Sequence, residues 1–261
     1  MTERHPPTAD LARQAEMLRR LHHGAQPLLL PNVWDVASAH AVAGAGFPVI
    51  ATSSHAVAAS LGYPDNDSMP VEEAFGAIAR ISRTIDVPMT ADLEAGYRLP
   101  APELVRRLLD AGAVGCNLED TDHHGPGVLA PIATQVERLR AVREAGRAAG
   151  VPIVINARID VFLREAGEPE SRLPEAIRRG QAYASAGADC LYPIGLGDPA
   201  AIETFMREVG APVNIWLRPG GPSRATLAGL GVARISLAGG LFRRSMAEIE
   251  RALDELRADS A

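Results

Sequence analysis

The chain has 261 residues, with 26 basic against 32 acidic groups and a net charge of −6. At 47 % hydrophobic and 22 % charged residues it can bury a full core, which excludes disorder as its main state, and its acidic balance argues against nucleic acid, which needs a basic patch. Every basic residue is arginine, so Schiff-base aldolase, pyridoxal-phosphate and Walker-type phosphate-loop chemistry, all of which need a lysine amine, are excluded.

No apolar run reaches the ~18 residues of a membrane span, and the polar start with Pro6 and Pro7 is no signal peptide, so a soluble, cytoplasmic protein is expected. Cys116 and Cys190 make neither a disulfide framework nor a zinc motif.

In chain order, residues 9–23 read as an extra N-terminal helix whose His22 and His23 are placed to interact with its dipole. A pattern then recurs: a helical stretch ends in glycine and a short apolar run follows. The runs 27–30, 48–51, 87–91, 114–118, 152–155, 189–192, 212–215 and 233–237 are eight strand candidates, and Gly46, Gly112, Gly150, Gly187, Gly210 and Gly231 mark helix stops before six of them. Residues 101–111, 134–149 and 173–186 read as helices, and 245–259 as a final one. Eight alternating units predict an α/β fold of the (β/α)8 TIM-barrel type, one domain over residues 1–261. An open doubly wound sheet is the alternative, weakened because no GxGxxG turn follows the first strand.

Catalytic groups of such barrels sit at the C-terminal strand ends. The second strand leads into Thr52-Ser53-Ser54-His55 and an irregular stretch to Pro70, longer than the usual ~2 to 6 residues of a βα loop. Ser53 and Ser54 supply hydroxyls and N–H groups suited to an oxyanion, whereas Ser54 and His55, as neighbours in extended chain, make a poor nucleophilic pair. The third strand ends Thr90-Ala91-Asp92-Leu93-Glu94, and strand alternation puts Asp92 and Glu94 on one face, about 6.6 to 7 Å apart, with Thr90 below. The fourth ends Asn117-Leu118-Glu119-Asp120, turning Asn117 and Glu119 inward, Cys116 and Leu118 toward the helices, and leaving Asp120 to cap the following helix. Asp92, Glu94 and Glu119 then meet at one rim with no lysine near, which calls for a divalent cation, Mg²⁺ or Mn²⁺. In the fifth strand Asn156 and Arg158 share a face, and Arg158 either clamps a carboxylate bidentately or pairs with a neighbouring acid; the two are compatible.

These motifs, with Leu61-Gly62-Tyr63-Pro64-Asp65-Asn66, Asp92-Leu93-Glu94-Ala95-Gly96-Tyr97, Leu118-Glu119-Asp120 and Asn156-Ala157-Arg158 in order, resemble the isocitrate lyase and phosphoenolpyruvate mutase superfamily. The resemblance implies that Asp92 matches the direct magnesium ligand, that Asp65, Glu94 and Glu119 match groups holding its waters, that Ser53 and Ser54 bind the substrate's carboxylate and oxo oxygens, and that Arg158 sits at the reacting end. It also implies a helix after the eighth strand exchanged between subunits of a homotetramer or dimer.

Departures from that pattern bear on the reaction. Where the lyase branch carries a Lys-Lys-Cys-Gly-His-type loop, this chain reads Asp122-His123-His124-Gly125-Pro126-Gly127, without the catalytic cysteine or the lysine of the mutase and phosphonopyruvate hydrolase branches. Pro193 stands where the mutase has a histidine. His123 and His124 are candidates to replace the missing acid or base, on a segment 122–131 read as a mobile lid without an apolar anchor before Val128; solvated loop histidines are the other reading. The expectation is a Mg²⁺-dependent lyase that breaks a C–C bond of a small 2-oxo or 2-hydroxy acid through a metal-stabilised enolate, by decarboxylation or retro-aldol cleavage, leaning toward decarboxylation. Phosphoenolpyruvate mutase or C–P hydrolase activity, and a 2-oxo acid binding protein without turnover, are the alternatives.

Three features remain. Asn214, Trp216 and Arg218 share a face and are candidates to line the pocket. Gly239 and Gly240 read as a turn. In the last helix Met246, Ile249, Leu253 and Leu256 form one apolar stripe, which must bury itself on its own barrel or a neighbour's, and Phe242-Arg243-Arg244 reads as an arm leading away from the barrel.

Overall fold

The computed structural model describes residues 7–125 and 127–258; the polar start with Pro6, the lid's Pro126 and the last helix's Asp259 lie outside the described residues. The elements alternate: α1 (Thr8–Leu21), β1 (Leu28–Leu30), β2 (Asn32–Val33), α2 (Val36–Gly44), β3 (Ile50–Thr52), α3 (Ser54–Leu61), α4 (Val71–Ser82), β4 (Met89–Asp92), α5 (Ala101–Asp110) and β5 (Gly115–Glu119). There follow α6 (Ile132–Ala148), β6 (Val154–Ile159), α7 (Pro169–Ser185), β7 (Cys190–Pro193), α8 (Pro199–Val209), β8 (Asn214–Trp216), α9 (Arg224–Gly229), β9 (Arg234–Ser236) and α10 (Gly240–Ala258). All eight predicted strands are present, with ends shifted by a few residues.

Every pairing between these strands is parallel, in the orders β2-β3-β4-β5-β6-β7 and β1-β9-β8. The two runs join into one ring. β1 and β2 are a single pass of chain interrupted at Pro31, which has no N–H to give to a ladder, and β7 meets β8 through the parallel bridge Leu191–Val213 and the Leu191 N–H bond to Pro212 O at 2.9 Å. The architecture is the expected α/β barrel. Strand register sets the tiers of its interior: Asp92 lies opposite Asn117 and Asn117 opposite Asn156, while one tier higher Glu119 lies opposite Arg158 and Arg158 opposite Tyr192.

The extra helix α1 closes the base of the barrel. Leu18 is fully buried there, and it fits because Gly115 has no side chain; a Cβ on that glycine would stand 2.7 Å from Leu18 Cδ2. His22 corrects one expectation. It is buried, its Nδ1 lies 2.8 Å from Leu18 O, and burial together with the Arg234 charge lowers its pKa to about 4. It therefore ends the helix as a neutral ring bonded to a carbonyl, not as a cation on the dipole.

α10 starts at Gly240, five residues before the predicted start, and its first turn is docked rather than an arm: the Phe242 ring meets Trp34 edge-on at 5.2 Å. Beyond that turn no residue of the described helix is buried, and Met246, Ile249 and Leu253 are exposed at 38, 49 and 54 %. Among the described residues no helix is long and apolar enough to cross a membrane.

Candidate active site

Two adjoining cavities open at the C-terminal ends of the strands. The first, about 130 Å³, is lined by Ser53, Ser54, Asp92, Asn117, Trp216 and Arg243 among others. The second, about 200 Å³, is lined by Asn66, Glu94, Glu119, His123 and Arg164. Asp65, Arg158 and Leu163 line both and form the wall between them.

Ser53 is the N-cap of α3, its hydroxyl accepting from Ala56 N–H at 3.4 Å, so the helix N-terminus faces the first cavity. Ser54 is committed to Asp92: its hydroxyl donates to Asp92 Oδ2 at 3.0 Å and its N–H to the same oxygen at 3.4 Å. The other oxygen, Oδ1, is shut from solvent with no hydrogen-bond partner, as is Asp65 Oδ1. Burial raises the Asp92 pKa, with Asp65 adding to the shift and Arg158 opposing it.

Glu94 joins this rim by a different route from the predicted one. β4 ends at Asp92, and Glu94 takes the left-handed conformation at φ 51°, so strand parity does not place it; the loop does. The carboxylate accepts from Asp67 N–H and, at 3.2 Å, from the Tyr97 hydroxyl. Burial, then the charges of Asp65, Asp92 and Glu119, push its pKa up to about 8 against the lowering effect of the Asp67 bond. Glu119 does follow the predicted parity. It is 3 % exposed and also shifts upward through burial, with Arg158 opposing.

Arg158 is where the structure alters the expected chemistry. Its Nε and Nη2 grip the two oxygens of Asp160 at 2.7 and 2.8 Å, and Nη1 lies 2.5 Å from Glu119 Oε2. The bidentate face expected to clamp a substrate is filled by the side chain of the residue that follows its own strand, and two carboxylates face one guanidinium. Asp160 was missed by sequence reading, although it shares the inward parity of Asn156 and Arg158. Asp120 is not a helix cap: it is fully buried, accepting from Asp160 N–H at 2.9 Å, Arg179 Nη1 at 2.9 Å and the Tyr183 hydroxyl at 2.7 Å. It fastens α7 to the strand ends instead.

The lid segment is pinned by its histidines. His123 Nε2 lies 2.6 Å from Glu119 Oε1 and His124 Nε2 3.1 Å from Asp67 Oδ2, while Val128 is 56 % exposed and holds the segment only through its carbonyl, which accepts from Asp122 N–H at 3.2 Å. The solvated reading fails for His123, whose side chain is 4 % exposed. Burial works against charging its ring, yet the Glu119 bond outweighs it and the pKa is raised. Asp67, a second residue that sequence reading missed, holds the lid from the long loop and also receives Tyr97 N–H at 2.9 Å.

Of the face drawn through β8, Trp216 reaches the cavity, while Asn214 is fully buried, accepting from the Ser236 hydroxyl at 3.0 Å. Asn214 is therefore a packing residue of the barrel interior rather than part of the cavity wall. Arg218 is exposed with its guanidinium 5.9 Å from the Trp216 ring centre. Gly239 lines the cavity wall as well as turning the chain.

The donor set suits a hard divalent cation, since the rim carboxylates Asp65 and Asp92 each hold an oxygen without a partner. Among the described residues no three His, Cys, Asp or Glu side chains close into a metal cage, so few protein ligands and several waters fit this site.

A parallel α/β barrel with an acidic rim at its strand ends hosts many chemistries, and similarity to known proteins gives the family. The phosphoenolpyruvate phosphomutase family model matches residues 18–257, and the chain belongs to that family, within the isocitrate lyase/PEP mutase superfamily. A presumed phosphonomutase of Burkholderia cenocepacia J2315 superposes with a TM-score of 0.86 at 38 % identity, over 93 % of this chain and 99 % of that one. A probable 2-methylisocitrate lyase of Corynebacterium glutamicum is 29 % identical over 238 residues, 87 % of this chain and 75 % of the relative. The oxaloacetate decarboxylase of Rhodopseudomonas palustris is 29 % identical over 213 residues, 80 and 71 % of the two chains.

Proposed function

We propose that the chain is a Mg²⁺-dependent carbon–carbon lyase, with Mn²⁺ able to substitute, that decarboxylates a small oxaloacetate-like 2-oxo acid. The observation that carries this reading is the solvent-shielded Asp92 Oδ1 without a partner, in a rim of carboxylates whose pKa values are raised. Mg²⁺, when bound, supplies the positive charge that polarises a 2-oxo group next to a breaking C–C bond.

The protein's own groups do the rest. Ser54 fixes Asp92 through Oδ2, which keeps Oδ1 available. Ser53 and the α3 N-terminus offer dipoles to a substrate carboxylate. Arg158, held by Asp160 and Glu119, is a rigid wall whose charge is already matched rather than a mobile clamp. His123 and His124 hold the lid over Glu119 and Asp67. Releasing CO2 needs no acid on the leaving group, whereas retro-aldol cleavage needs a base on a hydroxyl. The chain has no lysine, and both cysteines are buried with thiols pushed up to about 12, so decarboxylation makes the fewest demands on it.

The test is release of CO2 or aldehyde from a panel of 2-oxo and 2-hydroxy acids, with Mg²⁺ and with a chelator. CO2 from a four-carbon 2-oxo acid, abolished by chelation, is expected. Aldehyde alone would move the reading to retro-aldol cleavage, and phosphonopyruvate formed from phosphoenolpyruvate would replace it with the mutase.

The same reading includes assembly. The exposed Met246, Ile249 and Leu253 of α10 support a homotetramer or dimer in which this helix lies on a neighbour's barrel.

A further inference from the structure

We infer that Asn117 donates a hydrogen bond to the substrate's 2-oxo oxygen, and that the buried Arg234 is the positioning residue that turns its amide toward the cavity. The inference deepens the lyase reading and rests on it for the identity of the ligand.

Arg234 is 1 % exposed inside the barrel, and among the described residues no carboxylate forms an ion pair with it. Its Nε donates to the Ser236 hydroxyl at 3.3 Å and its Nη2 to Asn117 Oδ1 at 3.2 Å, while Nη1 has no partner. Burial pulls its pKa down. A buried cation held by neutral groups alone costs stability, and an apolar side chain of similar length fits such a place at least as well. The arginine therefore has another use. The Ser236 hydroxyl is committed to Asn214 Oδ1 at 3.0 Å, so Asn117 is the group that Arg234 orients. β5 and β9 are the fourth and eighth of the eight strand passes, so the guanidinium reaches across the barrel interior to that amide.

This contact decides which way the amide faces. An arginine only donates, so the Asn117 atom that meets it is the oxygen, and the same oxygen accepts from Asn156 Nδ2 at 2.8 Å. With Oδ1 engaged twice, Nδ2 is left for the first cavity, which Asn117 lines; no hydrogen bond among the described residues uses it. Asn117 also stands beside Asp92 in the strand register, next to the carboxylate proposed to hold the divalent cation. A donor at that place meets the oxygen on which negative charge develops. As the C–C bond breaks, its electron pair passes into the carbon chain, CO2 leaves, and the 2-oxo oxygen becomes an enolate oxygen. A fixed N–H stabilises that oxygen more than the neutral carbonyl it came from. The amide adds to the positive charge of the cation instead of replacing it.

The test compares 2-oxobutanoate, which has a neutral oxo oxygen, with oxalate, whose charged oxygen next to a carboxylate imitates the enolate. Binding of each is measured by calorimetry in Mg²⁺, beside thermal melts without ligand, and turnover is assayed separately. Arg234→Met is expected to melt no lower than wild type, yet to bind oxalate about tenfold more weakly and 2-oxobutanoate within about threefold. Arg234→Lys, which keeps a donor, should recover part of the loss. Asn117→Leu should weaken oxalate about a hundredfold, and adding Arg234→Met to it should weaken oxalate no further. The double variant leaves no arginine without its acceptor, so it stands in if Asn117→Leu alone fails to fold. Wild-type oxalate affinity in Arg234→Met, equal losses for the two ligands, or a weakening that follows a lowered melt overturns the inference even if CO2 is released. Selective loss of oxalate binding without any turnover supports it while removing the lyase reading, and a wild type that binds neither ligand overturns both.

Discussion

The base and the rim of this barrel use the same residue types to opposite ends. At the base, Asp189 accepts from Arg19 Nε at 2.8 Å, Ile155 N–H at 2.7 Å and Arg143 Nη2. Those two arginines also bond the carbonyls of Pro152, Ile153 and Gly187. The cluster ties α1 and α6 to the strand starts, and each charge at its centre has a partner. At the rim, Asp92 and Asp65 each keep an oxygen without a partner, and Glu94 and Glu119 are held among like charges that raise their pKa values. Satisfied charge marks where the fold is held, and unsatisfied charge marks where a ligand is missing from the balance.

Asp92 is where base and rim should differ most on mutation. Asp92→Ala should reduce Mg²⁺-dependent turnover below detection, while urea melts in metal-free buffer show unchanged or slightly increased stability because a repelled carboxylate has gone. Turnover near the wild-type level would sink the metal assignment. The mirror image is Asp189→Ala, which strands a partly buried arginine and the Ile155 N–H. A loss of about 3 to 5 kcal/mol in urea denaturation is expected, with turnover per folded molecule retained.

His22 sharpens the contrast through pH. Its folded pKa of about 4 lies below the ordinary histidine value of 6.5, so the unfolded chain takes up the proton first. Its contribution is intact above pH ~6.5, is lost as the pH falls toward ~4, and levels off below that, amounting to about 3 kcal/mol. His22→Gln should flatten this part of the stability–pH curve; an unaltered slope would assign acid sensitivity to other groups. The smallest effect on the barrel itself concerns α10. Light scattering should find an assembly larger than the 27.6 kDa chain, and Leu253→Glu should weaken it with little change in the melt of the remaining fold.

Much of the site was legible because strands alternate strictly. Parity correctly turned Glu119, Asn156 and Arg158 inward, and it failed at Glu94, where the chain has already left the strand with a positive φ. Asp120 was misread because a carboxylate after a strand so often caps the next helix, whereas here α6 starts only at Ile132 and Arg179 and Tyr183 claim the side chain. Asp67 and Arg243 carried no readable signal, since a residue in a long loop and one in a helix's first turn have no periodicity tying them to a pocket.

Glycine stops and apolar runs along the chain are enough to specify the barrel, and the absence of lysine with the spacing of the carboxylates specifies the kinds of donor at its rim. Those are properties of neighbours along the chain, where covalent geometry sets distance. Only the tertiary structure decided what each charge meets: that Arg158 is taken by Asp160 and Glu119, that His123 closes on Glu119, and that Arg234 reaches across the barrel to Asn117. Pairing depends on distances of a few ångströms between residues on different strands and loops, and such distances exist only once the ring has closed.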